Sequence, residues 1–408
     1  AREGLVLELL QHRVDRQVGQ LLRGPHLDAG PDEADQLVAG VRTLLSSNRV
    51  RLIEGEASFE TPRDLSVRRA DGTAERVEAD ATIVAAGSAT VIPPVPGIDL
   101  VGVITSTEAL SLEAPPKSIA VLGGGVIGLE FASLFSSLGA SVAVVEMLPE
   151  ILPTMDAEIA GILRGALARR GVSFHLGSRI SEVARSGGDL VVRVETPSGP
   201  TTLRAEKLLV AAGRRPVSEG LGLERIGVAT ERGRIKVDSR MRTGVEGVYA
   251  VGDCASRIML AHVASREGEV AAENIMGAPV VMDYKTVPSV VYTSPEAASA
   301  GLSEDEARRS GLSVRVGRFP MSANGRSLIA NQGDGMVKYV VDEKYGEIVG
   351  VHMVGPSASE LVAQSCLALR LECTVDELIT TIHAHPTVSE ALREAAAATR
   401  GAAVNLPA

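Results

Sequence analysis

The sequence predicts an α/β protein with several domains. Its 408 residues exceed what one hydrophobic core usually organises, so roughly two to four domains are expected. The stretch from Ser118 to Glu146 has the pattern of an apolar strand, a glycine-rich turn, an apolar helix and a second strand, which is the unit of a doubly wound parallel sheet. From Val287 onward, mixed strand and helix patterns are typical of a separate α+β domain.

Two patterns precede this unit. Apolar positions at helical spacing predict helices from Leu5 to Leu22 and through Leu37 to Leu45, with a break at Gly24 to Pro31. Period-two runs after Asn48 then predict strands at Val50 to Glu54, Leu65 to Arg69, Glu75 to Glu78 and Ala81 to Ala85. The breakers Pro93, Pro94, Pro96 and Gly97 predict a domain crossing.

The remaining elements follow from the same patterns. The doubly wound domain is expected to contain a helix at Ala157 to Arg170 and strands at Val172 to His175, Leu190 to Glu195 and Lys207 to Ala211. A strand at Val248 to Val251 and a helix at Ala261 to Met276 come next. The α+β domain is expected to contain helices at Glu304 to Ser310, Ser359 to Leu371, Val375 to Thr381 and Ser389 to Ala398, and strands at Val314 to Phe319, Gly335 to Val341 and Ile348 to Val354.

The composition is that of a globular protein and narrows the range of partners. Hydrophobic residues make up 45% of the chain and charged residues 23%, and no apolar run approaches the ~20 residues of a membrane-spanning helix. Aromatic residues make up only 2% and the net charge is -10, so we expect no nucleic-acid partner.

The three cysteines, Cys254, Cys366 and Cys373, cannot form a disulfide framework. Because no secretory segment opens the chain, we expect a cytoplasmic protein. The chain begins with Ala1 inside a helical pattern rather than with Met, which indicates a missing upstream segment or processing.

A glycine motif indicates nucleotide binding. Gly123, Gly125 and Gly128, with Val126 and Ile127 between the last two, form G-x-G-x-x-G between the predicted strand and helix. Glycines there allow a tight turn and bring a pyrophosphate close to the helix N-terminus. We therefore predict a dinucleotide site; the alternative is a turn needed for packing alone.

The acidic residue Glu146 ends the second predicted strand. A carboxylate in this position accepts hydrogen bonds from ribose hydroxyls and repels a 2′-phosphate, so NAD is favoured over NADP. The alternative is a solvated carboxylate at a strand end.

Several motifs in order resemble one enzyme family. They are Gly123 to Glu130 (GGGVIGLE), Gly213 to Pro216 (GRRP), Val248 to Cys254 (VYAVGDC), Met259 to His262 (MLAH) and Ile382 to Glu390 (IHAHPTVSE). With them the chain resembles the class I pyridine nucleotide-disulfide oxidoreductases, most of all the dihydrolipoamide dehydrogenase family. The resemblance implies two Rossmann-like dinucleotide-binding domains, one for FAD and one for NAD, and a C-terminal α+β dimerisation domain.

The implied FAD domain is incomplete and discontinuous. The expected division is 1–100 for the remainder of the FAD domain, 101–215 for the NAD domain, 216–285 for the return of the FAD domain and 286–408 for the dimerisation domain. The resemblance places FAD contacts at Ala57, Ala86, Gly87, Ser88, Gly252, Asp253, Met259, Leu260, Ala261 and His262. Asp253 would accept a hydrogen bond from a flavin-chain hydroxyl, although a turn or N-cap role is the alternative. Ala86 stands where the family has Thr.

Three further contacts with NAD are implied. Glu130 corresponds to a carboxylate near the nicotinamide, and Ile180 and Gly213 correspond to contacts on the adenine and nicotinamide sides. Core or capping roles are the alternative for each.

His385, before Pro386, and Glu390 form a candidate acid-base pair, since a dithiol attacks as its thiolate and needs a base near neutrality. The resemblance assigns the base to His385 and has it act in the active site of the partner subunit, so a homodimer is expected. His383 makes an H-x-H pattern, but no suitable third ligand stands nearby, so no metal is expected.

The sequence before Val50 carries neither the family's first G-x-G-x-x-G nor its C-x-x-x-x-C redox pair. We expect a portion of a longer enzyme, inactive by itself, that oxidises the dihydrolipoyl group of a 2-oxo acid dehydrogenase or related complex with NAD. The alternatives are another flavin disulfide reductase, such as mercuric reductase, and a non-catalytic NAD-binding dimeric paralogue.

Overall fold

The computed structural model describes residues 33–406. The predicted helix from Leu5 to Leu22 and the break after it lie outside the described residues. The described chain forms two compact units: 33–91, 107–114 and 213–283 make up the first, and 92–106, 115–212 and 284–406 make up the second. The finer four-part division stays a prediction.

The chain up to Val91 contains one helix and short strands. They are α1 (Glu33–Ser47), β1 (Glu56–Phe59), β2 (Asp64–Arg68), β3 (Ala74–Glu78), β4 (Thr82–Val84) and β5 (Ser88–Thr90). The prediction of a strand at Val50 to Glu54 is wrong. The strand that pairs with β2 is β1, which begins only after Gly55, so residues 50–54 lie outside the sheet strands. Ile53 is buried at 2% exposure as a single core residue, without a strand around it.

The next segment carries the nucleotide-type fold. Its elements are β6 (Val103–Ile104), α2 (Ser106–Ala109), β7 (Ser118–Leu122), α3 (Val126–Ser137), β8 (Ser141–Val145), α4 (Ala157–Arg169), β9 (Ser173–His175), β10 (Arg179–Ser186), β11 (Asp189–Thr196), β12 (Gly199–Ala205) and β13 (Lys207–Val210). Parallel strands in the order β6-β13-β7-β8-β9 form the main sheet. The predicted strand at Leu190 to Glu195 was wrongly placed in it, since β11 pairs with β10 and β12 in a separate antiparallel sheet.

The chain then returns to the first unit. This part holds β14 (Arg214–Pro216), β15 (Thr230–Glu231), β16 (Arg234–Ile235), β17 (Val248–Ala250), a 3₁₀ turn at Gly252–Cys254 and α5 (Ala261–Ile275). β17 lies parallel to β4, and β14 lies antiparallel to β5. These two pairings place Gly252 and Ser88 on neighbouring chain segments.

The C-terminal part is an antiparallel sheet with helices. Its elements are β18 (Ser289–Val291), β19 (Glu296–Gly301), α6 (Glu304–Arg309), β20 (Val314–Pro320), a 3₁₀ turn at Met321–Ala323, α7 (Gly325–Ile329), β21 (Met336–Asp342), β22 (Ile348–Gly355), α8 (Ala358–Arg370), α9 (Val375–Thr380) and α10 (Glu390–Ala398). The strand order is β18-β19-β22-β21-β20. β19 was not predicted, because its EAASAG sequence lacks the β-branched residues typical of strands.

The core of this part joins the sheet to the helices. Tyr339 on β21 is fully buried, and its hydroxyl lies 2.9 Å from Ser365 Oγ on α8. A buried hydroxyl needs such a partner. Among residues 33–406, no helix has both the length and the apolarity that crossing a membrane requires.

We predict that Gly317→Ala destabilises the C-terminal part. A Cβ at Gly317 on β20 would lie 2.0 Å from Ala395 O on α10, so strand and helix would have to separate. Overpacking of this kind costs ~1–3 kcal/mol. Urea denaturation measures the loss, with Gly161→Ala on α4 as the control because its Cβ would meet nothing closer than 3.8 Å. Equal midpoints for the two variants would contradict the close packing.

Candidate functional site

The glycine turn after β7 is shaped by two close contacts. Gly123 has φ +113°, and a Cβ there would lie 2.4 Å from Ala211 O. A Cβ at Gly128 would lie 2.0 Å from Gly123 O, so helix and strand could not pack. At Gly125, by contrast, a Cβ would meet no described atom within 4 Å. Packing within the protein therefore does not require glycine at position 125. The missing side chain instead leaves open space at the start of α3.

The start of α3 fits an anion. Gly125 is the N-cap, makes no side-chain capping bond, and is followed by a first turn without acidic residues. Helix N-termini carry unsatisfied N–H groups and a partial positive charge, so the amides around Val126 and Ile127 suit a pyrophosphate. Open space and amide donors together fit the predicted dinucleotide.

Glu146 is buried at 9% exposure rather than solvated. Its Oε2 accepts the Gly124 N–H at 2.6 Å and its Oε1 accepts the Leu148 N–H at 2.7 Å. A carboxylate has about four lone-pair positions, so these bonds leave capacity for ribose hydroxyls. The carboxylate thus braces the glycine turn, a role that the sequence did not predict, and the predicted ribose contact stays a prediction.

Two other predicted NAD contacts lie in the same unit. Glu130 on α3 accepts the Tyr292 N–H at 3.0 Å, and burial raises the pKa of its carboxyl group above the ordinary value despite that bond. Ile180 on β10 is 5% exposed inside a hydrophobic cluster. Glu130 is therefore tied to the segment that follows β18, while a ligand contact for Ile180 stays a prediction.

In the first unit, predicted FAD contacts meet around one carboxylate. The Ser88 hydroxyl donates a hydrogen bond to Asp253 Oδ2. Arg214 Nε donates to Ser88 Oγ at 2.7 Å and Arg214 Nη2 donates to Ser88 O at 2.7 Å. Gly213, beside Arg214, has φ +115° and open space around a notional Cβ. Arg214 belongs to the GRRP motif but was not predicted as a site residue.

The turn that carries Asp253 is held from α5. Gly252 has φ +68° and donates its N–H to Glu267 Oε2 at 2.7 Å. Glu267 is 1% exposed. Nothing in the local sequence marks this glutamate, since helical spacing alone does not show which glutamate of α5 faces inward.

The remaining predicted FAD contacts lie in two places, around a small cavity and at the start of α5. A cavity of about 50 Å³ is lined by Ala57, Ala86 and the residues of β4. Within the described part of the chain, Thr82 Oγ1 in this lining is buried without a hydrogen-bond partner. Leu260 caps α5 without a side-chain bond, next to Met259, and Ala261 and His262 are exposed. The N-terminus of α5, which has no side-chain cap, fits an electron-rich ring.

His385 and Glu390 form the expected pair. His385 Nδ1 lies 2.9 Å from Glu390 Oε1, and Glu390 Oε2 accepts the Thr387 N–H at 2.8 Å. Partial burial opposes ionisation of Glu390, but these two contacts outweigh it and lower the pKa of the carboxyl group. The His385 side chain is 81% exposed, so its free face is open to a reactant.

His383 has different partners. Its Nδ1 lies 3.0 Å from Thr381 O and its Nε2 lies 3.2 Å from Gln364 Nε2. In residues 33–406, no group of three or more His, Cys, Asp or Glu side chains is placed to hold a metal ion.

The three cysteines are free thiols. Burial raises the pKa of Cys254, and it raises the pKa of Cys366 to about 11. Cys366 and Cys373 pack against the C-terminal core. A thiol with a raised pKa is a poor nucleophile near neutral pH, so Cys254 and Cys366 have structural rather than redox environments.

Comparisons with known proteins agree with this geometry. Residues 5–268 match the family described as pyridine nucleotide-disulphide oxidoreductase. Residues 287–396 match the dimerisation domain of the same family, which supports a homodimer.

Similar proteins include the dihydrolipoyl dehydrogenase of Thermus scotoductus, 43% identical over 91% of this chain and 80% of the relative. The dihydrolipoyl dehydrogenase of Trypanosoma brucei brucei is 41% identical over 90% of this chain and 78% of its own length. LpdA from Mycobacterium tuberculosis superposes with a TM-score of 0.81 at 32% identity, covering 89% of this chain and 80% of that one. The flavoprotein disulfide reductase RclA from Escherichia coli has a TM-score of 0.83 at 27% identity, covering 89% and 83%.

These matches confirm the predicted fold class and the resemblance drawn from the five motifs. They also confirm the predicted cofactor classes, FAD and a nicotinamide dinucleotide, and the prediction of an oxidoreductase. The chain belongs to the pyridine nucleotide-disulphide oxidoreductase family.

Proposed function

We propose that this protein is a dihydrolipoyl dehydrogenase that uses NAD and FAD. The observation that carries the proposal is the His385 and Glu390 pair, with 2.9 Å between Nδ1 and Oε1 and the imidazole 81% exposed. Relatives that bear this enzyme's name at about 40% identity support it. A non-catalytic paralogue would have no evident use for such a base.

The glycine turn and Glu146 would hold NAD. The N–H groups at the start of α3 would bind the pyrophosphate, and the Glu146 carboxylate would accept hydrogen bonds from the ribose hydroxyls. The same carboxylate would repel the 2′-phosphate of NADP, since burial at 9% exposure leaves little water to screen the two charges.

Asp253, Ser88 and the start of α5 would hold FAD. Asp253 would accept from a hydroxyl of the flavin side chain, and the N-terminus of α5 would stabilise negative charge on the ring. FAD, when bound, supplies a two-electron relay between dithiol and nicotinamide. The contacts of Arg214 with Ser88 keep that serine beside Asp253.

His385 would act as the base in dithiol oxidation. One substrate thiol would give its proton to His385 Nε2, and its thiolate would attack the redox disulfide, breaking that S–S bond and releasing one enzyme thiolate. The second substrate thiol would give its proton to this enzyme thiolate and attack the mixed disulfide, which closes the lipoyl disulfide and releases the second enzyme sulfur as a thiolate. Overall, dihydrolipoamide and NAD⁺ become lipoamide, NADH and a proton. The ionised Glu390 would hold the imidazole in one orientation through its contact with Nδ1.

The proposal needs a redox disulfide outside residues 33–406, because Cys254, Cys366 and Cys373 are unpaired thiols. It also needs a second subunit, since the exposed His385 would complete the active site of its partner. The natural substrate would be the lipoyl-bearing subunit of a 2-oxo acid dehydrogenase or related complex, in the cytoplasm.

We predict that Gly125→Ala weakens NADH binding by at least about tenfold. The added Cβ would enter the pyrophosphate space, while the backbone at φ -78° and ψ -176° accommodates alanine. NADH fluorescence titration measures affinity, and a thermal midpoint close to that of the unmodified protein shows an intact fold. Gly165→Ala on α4 is the matched control, and unchanged affinity for Gly125→Ala would count against the site.

We predict that His385→Gln lowers kcat/KM for dihydrolipoamide by about 10²–10⁴ while NADH still reduces the bound flavin. Loss of the base affects only the dithiol half of the reaction. Stopped-flow absorbance of the complete, flavin-containing gene product separates the two halves. His383→Gln is the matched control and should stay within about twofold; equal losses for both variants would reject the assignment.

We also predict that Glu390→Gln lowers kcat/KM for dihydrolipoamide by about tenfold, because the imidazole loses the charged partner that orients it through Nδ1. The pKa of Glu390 is lowered, so its carboxylate is charged at neutral pH and remains charged when the pH falls to the ordinary range of a carboxyl group. The loss in kcat/KM should therefore be similar across the neutral and mildly acidic range. An unchanged kcat/KM in this variant would show that the carboxylate does not act on the imidazole.

A further inference from the structure

A row of basic side chains crosses the C-terminal sheet. Arg318 on β20 lies opposite Lys338 on β21, and Lys338 lies opposite His352 on β22. Residues directly opposite each other share one face of a sheet. Lys338 is 3% exposed and His352 is 2% exposed, so these two lie inside the protein, whereas the Arg318 side chain at the end of the row is 42% exposed.

Three carboxylates meet the ammonium group of Lys338. Asp156 and Glu158 each lie 2.9 Å from Nζ, and Glu304 lies 3.0 Å away. Asp156 and Glu158 stand at the start of α4, and Glu304 stands at the start of α6.

The neighbouring Arg318 shares two of these partners. Its guanidinium contacts Glu158 at 2.9 Å and Glu304 at 3.0 Å. Asp156, 3% exposed, forms an ion pair with Lys338 and with no other side chain of residues 33–406. Lys338 and Arg318 therefore share two carboxylate partners but differ in burial and in their contact with Asp156.

The buried pair of Lys338 and Asp156 is ionised. Burial lowers the pKa of Lys338, but its three carboxylates outweigh that effect and raise it. Burial likewise raises the pKa of Asp156, and the hydrogen bond from Lys338 brings it below the ordinary value. His352 donates Nε2–H to Leu302 O at 2.9 Å, and burial lowers its pKa, so it adds no charge near neutrality.

Burying charged side chains in such a cluster is energetically unfavourable. Buried ion pairs seldom stabilise a fold more than apolar side chains of similar volume do, because both charges lose their hydration. Their directional bonds do hold two elements in one arrangement. The bond between Lys338 and Asp156 therefore matters less for net stability than for the chain segment that it holds in place.

Asp156 ends the β8–α4 loop, which we define as residues 146–156. The loop begins at Glu146, bonded to Gly124, and its middle is tied to the same glycine because Leu152 donates its N–H to Gly124 O at 3.0 Å. Leu152 has φ +49°, in the left-handed region, which is unfavourable for residues with a Cβ. Contacts with the rest of the protein must therefore stabilise this loop conformation. At its end, Asp156 caps α4 through the N–H groups of Glu158 and Ile159 and binds Lys338.

We infer that Lys338 is a positioning residue for the NAD site. Through Asp156 it fixes the end of the β8–α4 loop on the C-terminal sheet, and the loop keeps the Glu146 carboxylate and the Gly124 turn in the geometry that the dinucleotide requires. The inference rests on the proposed binding of NAD at this turn. The sheet of the dimerisation domain thereby contributes to nucleotide affinity without touching the nucleotide.

Nucleotide affinity of charge-neutralised variants tests the inference. In the complete flavin-containing protein, Lys338→Met should raise the Kd for NADH and the KM for NAD by about tenfold, with kcat at saturating NAD within about twofold. FAD content should not change. Arg318→Met is the control, because it removes a charge that contacts Glu158 and Glu304 but not Asp156, and its Kd should stay within about twofold of the unmodified value.

A second variant covers the case in which Lys338→Met does not fold. Lys338→Met combined with Asp156→Asn removes both charges and keeps a residue that caps helices well, so the fold is restored while NADH affinity stays low. Unmodified affinity in this double variant, or equal losses in it and in Arg318→Met, would overturn the inference while leaving the proposed function intact. Absence of NADH binding to the unmodified protein would overturn both.

Discussion

The bond between the Glu146 carboxylate and the Gly124 amide is the constraint on which the nucleotide-type fold depends. It ties the end of β8 to the turn after β7 at 2.6 Å, inside a site where Glu146 is 9% exposed. The turn can approach Glu146 so closely because Gly124 carries no side chain: a Cβ there would lie 3.2 Å from Glu146 Cβ. At Gly125, by contrast, a Cβ would meet open space. A buried carboxylate that binds backbone amides is worth more than it would be in water, since the low local dielectric strengthens each bond. One acidic side chain thus supports the turn from the end of the neighbouring strand.

A buried glutamate also binds a glycine amide in the first unit. Glu267 on α5, 1% exposed, accepts the N–H of Gly252, which precedes Asp253. In both units a buried glutamate from one element holds a glycine turn of another, and the residue that would meet a cofactor lies on or beside that turn. Backbone amides at a left-handed glycine are otherwise difficult to satisfy when they are buried. The candidate cofactor sites are therefore rigid through side-chain bonds to the backbone as well as through strand pairing.

The acid-base pair, unlike the two buried glutamates, lies at the protein surface. His385 is 81% exposed, and its orientation comes from Glu390 at the start of α10, which Gly317 allows to pack closely on β20. Exposure suits a base that acts on the partner subunit, because the imidazole must leave its own surface free to meet another chain. The ion pair of Lys338 on β21 with Asp156 is buried instead, with 3% and 4% of the two side chains exposed. One exposed pair thus suits chemistry, and one buried ion pair suits alignment.

The glycine motif, Glu146 and the pair of His385 and Glu390 were predictable because each depends on neighbours close in sequence: a strand, a turn, a helix start. The strands β1 and β19 were missed, and β11 was placed in the wrong sheet, since pairing partners rather than local propensity decide which short segment becomes a strand. By itself, the sequence determined the class of fold and the two classes of cofactor, and it indicated the candidate base. Tertiary structure alone decided that Arg214 meets Ser88 across 126 residues and that Lys338 meets Asp156 across 182, because sheet register and helix packing bring together side chains whose local sequences carry no sign of each other.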